Sequence, residues 1–238
     1  MKAAYRRLLI KFSGGQLAGE SGVGISPAVI GRVAREVRDV HELGSQLCIV
    51  IGGGNIIRGI DAAAQGLDRT SADYMGMLAS IINALALQDS LEKEGLATRV
   101  LSALDIHSVA EPYIRRRAVR HLEKGRVVVF AGGTGNPYFT TDTAAVLRAA
   151  EVDAEIILMA KQGVDGVYDD DPKKNVDAKR YDRLSYEEAI RKNLRVMDQT
   201  AVALCRENDL PIVVFDMSTP GNISRVASGE TVGTRVGG

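Results

Sequence analysis

The chain has 238 residues, 25% of them charged, and its 30 Lys and Arg residues balance its 30 Asp and Glu residues. This neutral balance argues against a nucleic-acid-binding protein, which usually carries an excess of basic side chains. With only Cys48 and Cys205, no signal peptide, and no apolar run near the roughly 18 residues that a membrane span requires, we expect a cytoplasmic protein that is not bound to a membrane.

Short β-type runs alternate with longer segments of helical period along the chain. The predicted strands are residues 7–12, 47–51, 98–101, 126–131, 155–159 and 212–215. The first predicted helix has signals at both ends, with Ser26 as its cap, Pro27 in its first turn and Gly44 at its close, so residues 7–51 predict a βαβ unit.

Further helices are predicted at residues 73–94, 112–123, 140–150, 186–192 and 197–208. This alternation is typical of an α/β fold in which helices cover both faces of a central, largely parallel sheet. A length of 238 residues lies within the range of one domain. We therefore expect a single domain with three αβα layers.

Three glycine-bearing loops each follow a predicted strand, at residues 13–15, 52–54 and 132–135. The carboxyl ends of parallel strands are where open α/β proteins bind ligands, and glycine lets backbone N–H groups approach an anion closely. A single loop of this kind is more often an ordinary tight turn, but three in succession indicate a phosphate site. The motifs of P-loop kinases and of common dinucleotide dehydrogenases are missing, which argues against both classes.

Three charged residues accompany these loops. Lys11 ends the first strand, Arg58 follows the second loop by one helical turn, and Asp142 lies near the start of a helix beyond the third loop. Taken alone, Lys11 is also typical of a solvated strand end, and Asp142 of a helix cap or first turn. Together the three residues suit phosphoryl transfer, which depends on positioning and charge neutralisation.

Five motifs in the expected order resemble those of the bacterial UMP kinases of the amino acid kinase superfamily, and the resemblance runs from Arg7 to about Arg235. The motifs are KFSG at 11–14, GGGNIIRG at 52–59, DYMGMLA at 73–79, GTGNPYFTTD at 133–142, and VDGVY at 164–168 with Asp171-Pro172. The fourth motif is the most specific, because the carbamate, glutamate and acetylglutamate kinases of the superfamily differ there. The resemblance implies transfer of the ATP γ-phosphoryl group to UMP, giving UDP and ADP for pyrimidine nucleotide synthesis.

The same resemblance implies roles for residues at matching positions. The implied catalytic residues are Lys11, Arg58 and Asp142. The implied ATP-binding residues are Lys11, Phe12, Ser13, Gly14, Gly54, Arg58, Gln162, Tyr168 and Asp171. The implied UMP-binding residues are Gly53, Asp73, Thr134, Gly135, Asn136, Pro137, Tyr138, Phe139, Thr140 and Thr141. The N-terminal part of the domain would then bind mainly UMP and the C-terminal part mainly ATP, with Mg²⁺ held by ATP oxygens and water rather than by protein ligands.

Regulation and assembly are also implied by the resemblance. The residues Gly19, Glu20, Ser21, Gly22, Val23 and Gly24 match the family's GTP-activation segment, although a flexible surface turn is an equally simple interpretation. The resemblance also implies that the chain assembles as a hexamer, is activated by GTP and is inhibited by UTP.

The chain departs from the family pattern in three places. Phe12 stands where leucine is common, and Gly15-Gln16 replaces a common acidic continuation. At the position of Gln162, Asn or Thr is common. Two alternatives stay open from the residues alone: a related kinase acting on a carboxylate or carbamate, and a non-catalytic nucleotide sensor on the same fold.

Overall fold

The computed structural model of the chain describes residues 2–172, 174–194 and 196–237, with residues 60 and 62 described by their backbone only. The strands are β1 (Arg7–Phe12), β2 (Gln46–Ile51), β3 (Thr98–Ser102), β4 (Glu111–Pro112), β5 (Val127–Ala131), β6 (Ile157–Lys161), β7 (Val167–Tyr168), β8 (Arg180–Tyr181), β9 (Arg183–Leu184), β10 (Ile212–Asp216) and β11 (Thr234–Val236). The helices are α1 (Pro27–Glu42), α2 (Gly59–Ala64), α3 (Arg69–Lys93), α4 (Arg115–Glu123), α5 (Thr141–Glu151), α6 (Tyr186–Arg191), α7 (Gln199–Glu207) and α8 (Asn222–Ala227).

Nine of the strands form one sheet in the order β4-β3-β5-β2-β1-β6-β10-β11-β9. Its neighbouring strands pair in parallel except β10 and β11, which are antiparallel. The strands β7 and β8 form a separate antiparallel pair. The prediction of a central, largely parallel sheet is therefore confirmed.

Both faces of the sheet are buried, which explains why its strands are almost continuously apolar. In β1, the side chains of Leu8, Ile10 and Phe12 join a core with α1, α3 and α8, whereas Leu9 points to the opposite core with α4, α5 and α7. All four side chains are fully buried. Each helical layer covers one face of the sheet, so the predicted three-layer αβα arrangement is confirmed.

Helix α1 has the ends that the sequence predicts, with one difference. Gly44 follows the C-cap with φ of 99°, a conformation that favours glycine, and its N–H donates to the His41 carbonyl at 2.9 Å. Ser26 occupies the N-cap position, but its side chain makes no cap hydrogen bond. The Ser26 backbone N–H instead donates to the Leu17 carbonyl at 2.7 Å, so the predicted side-chain cap is wrong.

Strand β6 begins and ends two residues later than the sequence suggests. Its last residue, Lys161, lies opposite Asp216 of β10 in the parallel register. The strand's end therefore carries a lysine at the same edge of the sheet as Lys11 of β1. Among the described helices, none is both long and apolar enough to cross a membrane.

Candidate active site

The predicted site residues gather at one edge of the sheet because of the strand order. The neighbouring strands β5, β2, β1 and β6 are parallel, so their carboxyl ends lie side by side. The three glycine loops follow β1, β2 and β5. This edge is where open α/β folds bind ligands.

Lys11 and Asp142 form an ion pair at this edge. The Lys11 Nζ lies 2.7 Å from Oδ1 of Asp142, and the two side chains are only 10% and 18% exposed. Lys11 is the penultimate residue of β1, and Asp142 lies in the first turn of α5, where a negative charge is favoured by the helix dipole. The tertiary structure thus joins two residues that the sequence marks separately.

Lys161 is a third charge beside this pair. Burial alone raises the pKa of Asp142, but the charge and hydrogen bond of Lys11, together with the charge of Lys161, hold it below its ordinary value of 3.8. Burial lowers the pKa of Lys161 from 10.5; the carboxylate of Asp142 partly offsets this effect, and repulsion from Lys11 adds to it. Asp142 is therefore a carboxylate whose charge is stabilised by two lysines.

The first glycine loop is organised by Gln16. Its Oε1 accepts from the Ser13 backbone N–H at 2.8 Å, and its Nε2 donates to the Ala160 carbonyl at 2.7 Å. This buried glutamine therefore ties the loop after β1 to the end of β6. Phe12 is fully buried, as expected for an apolar replacement of leucine, so it faces the core rather than the site.

The second glycine loop packs directly on α3. A Cβ atom added at Gly53 would lie 2.5 Å from the Gly76 carbonyl oxygen and 2.7 Å from the Ser80 nitrogen, so only glycine fits there. The Arg58 side chain is exposed and folds back over this loop, with its Nε donating to the Gly54 carbonyl at 3.3 Å. Arg58 thus lies beside the second glycine loop, and its guanidinium is accessible to an anion.

A cavity of about 350 Å³ opens beside these loops, and we call it the first cavity. Its lining brings together most of the residues expected to hold UMP, with two expected to hold ATP: Gly53, Gly54, Arg58, Asp73, Thr134, Phe139, Thr140 and Thr141. Gly135, Asn136, Pro137 and Tyr138 are described but lie outside this lining. The lining combines polar and apolar groups, with a carboxylate, a guanidinium and hydroxyl groups beside the apolar side chains of Ile51, Ile57 and Met77.

Asp73 connects the first cavity to the loop that follows β5. Its Oδ2 accepts from the Tyr138 backbone N–H at 2.8 Å and from the Arg69 Nε at 2.9 Å. Tyr138 has φ of 71°, which is uncommon for a non-glycine residue, and its ring lies 5.4 Å from the Arg69 guanidinium carbon. The hydrogen bond to Asp73 helps to hold this strained loop conformation.

The end of the same loop is fixed by Thr140 and Asp198. Thr140 caps α5, because its Oγ1 accepts from the Asp142 and Thr143 backbone N–H groups at 3.1 and 3.3 Å. The Thr140 hydroxyl also hydrogen-bonds to the Asp198 carboxylate, which in turn caps α7 through the Ala201 N–H at 2.9 Å. The backbone N–H of Asp198 further lowers the pKa of Asp142. The first turns of α5 and α7 therefore form one hydrogen-bonded unit.

A second cavity, of about 540 Å³, is lined by residues of the C-terminal part of the chain. Its lining includes Lys161 together with Tyr168 and Asp171, which are two of the residues expected to bind ATP. Tyr168 is oriented by a hydrogen bond from its hydroxyl to Asp165 at 2.6 Å. Gln162 is a described residue but is exposed and outside this lining.

Three residues of the site were missed by the sequence predictions: Lys161, Asp198 and Gln16. Lys161 carries the same signal as Lys11, a lysine at the carboxyl end of a buried strand, but the strand was predicted two residues too early. Asp198 carries an N-cap signal, since an Asp precedes a helical segment. Gln16 carries no comparable signal, because its role depends on the distant Ala160.

Comparison with known proteins agrees with this arrangement. Residues 6–216 match the model of the amino acid kinase family. The chain is 57% identical to a uridylate kinase of Ruegeria sp. (strain TM1040) over 235 residues, which cover 99% of this chain and 94% of the relative. A structure of UMP kinase from Bacillus anthracis is similar with a TM-score of 0.95 at 46% identity, covering 98% of this chain and 96% of that one. A structure of UMP kinase from Ureaplasma parvum has a TM-score of 0.93 at 40% identity over the full length of both chains.

Proposed function

The chain belongs to the uridylate kinases of the amino acid kinase family, and we propose that it transfers the γ-phosphoryl group of ATP to UMP, giving UDP and ADP. The observation that carries the proposal is the buried Lys11–Asp142 ion pair, whose neighbouring residues line two separate cavities. Thr141, which precedes Asp142, lines the first cavity, and Lys161, which interacts with Asp142, lines the second. A donor and an acceptor bound in these cavities meet at the ion pair.

The chemistry requires positioning and charge neutralisation rather than a base. The phosphate of UMP has a second pKa near 6, by analogy with other phosphomonoesters, so its attacking oxygen is already ionised at neutral pH. That oxygen bonds to the γ-phosphorus while the bond between this phosphorus and the β,γ-bridging oxygen breaks, and ADP leaves with the electron pair. Lys11 stabilises the charge on the transferring group, and Asp142 keeps the Lys11 ammonium in place.

The acceptor is assigned to the first cavity. Asp73 and Arg58 line it together with the hydroxyl-bearing residues Thr140 and Thr141. The proposed binding residues Gly135, Asn136, Pro137 and Tyr138 act there by giving the loop its shape, which the Tyr138 N–H bond to Asp73 supports. The fourth motif, shared with UMP kinases, supports a uracil nucleotide over a carboxylate or carbamate acceptor.

The donor, ATP, is assigned to the second cavity and to the glycine loops that follow β1 and β2. Tyr168 and Asp171 are proposed to hold the adenosine part, and Gln162 to contact it at the rim. Backbone groups of Phe12, Ser13, Gly14 and Gly54 are proposed to face the phosphates. The first cavity is built from residues 51–141 and the second from residues 161–214, which supports an N-terminal part that binds mainly UMP and a C-terminal part that binds mainly ATP.

The magnesium ion is proposed to arrive with ATP. Within the described residues, no group of three or more His, Cys, Asp and Glu side chains is placed to hold a metal ion, and the Asp142 carboxylate is already paired with Lys11. These described side chains therefore fit an ion that is held by phosphate oxygens and water, which are ligands that Mg²⁺ prefers. Bound in this way, Mg²⁺ neutralises charge on the phosphate oxygens of ATP.

Assembly and regulation are part of the same proposal. Helix α3 exposes an apolar stripe of Tyr74, Met75, Leu78 and Ile82, which supports burial against another copy of the chain in a hexamer. The segment 19–24 is proposed to respond to GTP as an activator, with UTP as an inhibitor. A cytoplasmic location is supported by Cys48 and Cys205, which are both buried free thiols and fit a reducing compartment.

An acceptor screen tests the proposal. The purified chain is supplied with Mg-ATP and, in separate reactions, UMP, CMP, dUMP, carbamate and acidic amino acids, and ADP release is measured. We expect UMP to give the highest kcat/KM. A preference for carbamate or an amino acid would assign the chain to another activity of the family, and no ADP release with any acceptor would favour a nucleotide sensor.

A further inference from the structure

Two asparagine side chains form a reciprocal amide pair beneath the glycine loops. Asn55 follows the second loop and is 3% exposed, and Asn83 lies in α3 and is fully buried. The Asn55 Nδ2 donates to the Asn83 Oδ1 at 3.0 Å, and the Asn83 Nδ2 donates to the Asn55 Oδ1 at 2.7 Å. Burying two amide groups in an apolar layer is costly unless their hydrogen bonds are made.

The second N–H of each amide reaches a backbone carbonyl. Asn55 Nδ2 donates to the Gly24 carbonyl at 2.6 Å, and Asn83 Nδ2 donates to the Gly52 carbonyl at 2.7 Å. A carbonyl oxygen only accepts, so these two contacts fix the orientation of both amides. All four N–H donors of the pair are used, and a fully satisfied buried network of this kind is rigid.

Three loops meet at this pair. The Gly24 N–H donates to the Asn55 carbonyl at 2.9 Å, so the 19–24 segment and the second loop are joined by two hydrogen bonds. The first loop packs on the same point, because a Cβ atom at Gly14 would collide with the Asn55 side-chain oxygen and lie 2.6 Å from the Gly54 nitrogen. A displacement of any one loop therefore moves the others.

We propose that the Asn55–Asn83 pair is a positioning unit that sets the distance between the first and second glycine loops and couples the 19–24 segment to both. The inference rests on the proposed function, in which these loops hold the phosphates of ATP. Both side chains are buried and act through the loops. Breaking the pair leaves the residues Lys11 and Asp142 unchanged but loosens the two glycine loops that are proposed to hold the ATP phosphates.

The variant Asn83→Ala tests the unit by kinetics and by hydrogen exchange followed by mass spectrometry. We expect the KM for ATP to rise by about tenfold, since three hydrogen bonds are lost, one to the Gly52 carbonyl and two with Asn55. The KM for UMP is expected to rise as well, because Gly53 and Gly54 of the second loop also line the first cavity. Amide exchange is expected to accelerate in both 19–24 and 52–55. Acceleration in one of these segments alone, or an unchanged KM for ATP, overturns the proposal.

The matched control is Thr98→Val. Thr98 is also fully buried, and its Oγ1 donates to the Leu96 carbonyl at 2.9 Å, but it begins β3 at the opposite end of the strand from the loops. We expect a loss of stability without a change in KM for ATP or in exchange at 19–24 and 52–55. If the two variants behave alike, the asparagine pair has only a structural role.

The wild-type chain provides a measurement that does not depend on the folding of a variant. If the unit couples the loops, ATP alone should slow amide exchange at 19–24 together with 52–55. Protection confined to 52–55 overturns the coupling. No acceptor is needed, so this result is separate from a failure of the UMP kinase assay.

Discussion

The Nζ of Lys11 and the Oδ1 of Asp142 lie 2.7 Å apart, although one residue is near the end of strand β1 and the other is in the first turn of helix α5. Both side chains are mostly buried, so the pair is only weakly screened by solvent. The charge of Lys161 is attracted by the Asp142 carboxylate and repelled by the Lys11 ammonium.

Replacing Lys11 with methionine should remove most of the turnover while the chain stays folded. One fixed positive charge at a phosphoryl-transfer site is worth about 2.7 to 4 kcal/mol of transition-state stabilisation, so we expect kcat to fall by about 10² to 10³. The control is Lys93→Met, which makes the same change at an exposed residue paired with Asp89. A Lys11→Met enzyme with near-normal kcat would show that Lys11 is not catalytic.

The ion pair should make stability depend on pH in the acidic range. The folded-state pKa of Asp142 is lower than its ordinary value of 3.8. Its contribution is therefore present above that value and is lost as the pH falls through the lower, folded-state pKa. We expect wild type to exceed Asp142→Asn in free energy of unfolding at about pH 7, and the difference to shrink below about pH 4. Urea unfolding of both proteins across this range is the measurement, and a constant difference contradicts the prediction.

Replacing Asp73 with alanine should weaken acceptor binding more than donor binding. The change removes a carboxylate from the first cavity and the hydrogen bond that holds the Tyr138 N–H. We expect the KM for UMP to rise by about tenfold or more, since a hydrogen bond to a charged group is worth about 1.5 to 3 kcal/mol. Asp89→Ala, on the exposed surface of the same helix, is the control. Equal effects on the KM values for UMP and ATP would argue against an acceptor role.

UMP should be used far better than CMP. Uracil offers an N3–H donor and an O4 acceptor, whereas cytosine offers an N3 acceptor and an N4 amino donor, so the two edges are opposite. A loop that hydrogen-bonds one edge leaves buried groups unpaired against the other, which can give discrimination of about 10⁴ to 10⁵. The values of kcat/KM for both nucleotides at one Mg-ATP concentration decide this, and comparable values would indicate a broad pyrimidine monophosphate kinase.

GTP should change the activity if the 19–24 segment is a regulatory element. The segment is joined to the second glycine loop through Gly24 and Asn55, so a ligand that moves it should alter the phosphate site. A titration of GTP at fixed Mg-ATP and UMP is expected to raise the rate or the affinity for UMP. An unchanged rate and UMP affinity would leave the segment as a surface turn.

The sequence by itself determined the elements of the fold and the main chemistry of the site. Apolar strands alternating with helices leave little choice except a buried parallel sheet, because both faces of each strand must be covered. The glycine loops, Lys11 and the motif ending in Asp142 are each local signals. They place phosphate-binding groups at the carboxyl end of the sheet before any pairing of strands is known.

The tertiary structure decided which of these groups meet. Lys161 lies near Lys11 because β6 pairs with β1. The local pattern of apolar residues predicts each strand but not which strands become neighbours in the sheet. Asp198 reaches Thr140, and Gln16 reaches Ala160, through contacts between distant segments. Asn55 and Asn83 are ordinary amides in the sequence and become a unit only when α3 packs under the loops. Local preferences fix helices and strands, whereas the burial of paired polar groups depends on long-range packing that only the folded chain provides.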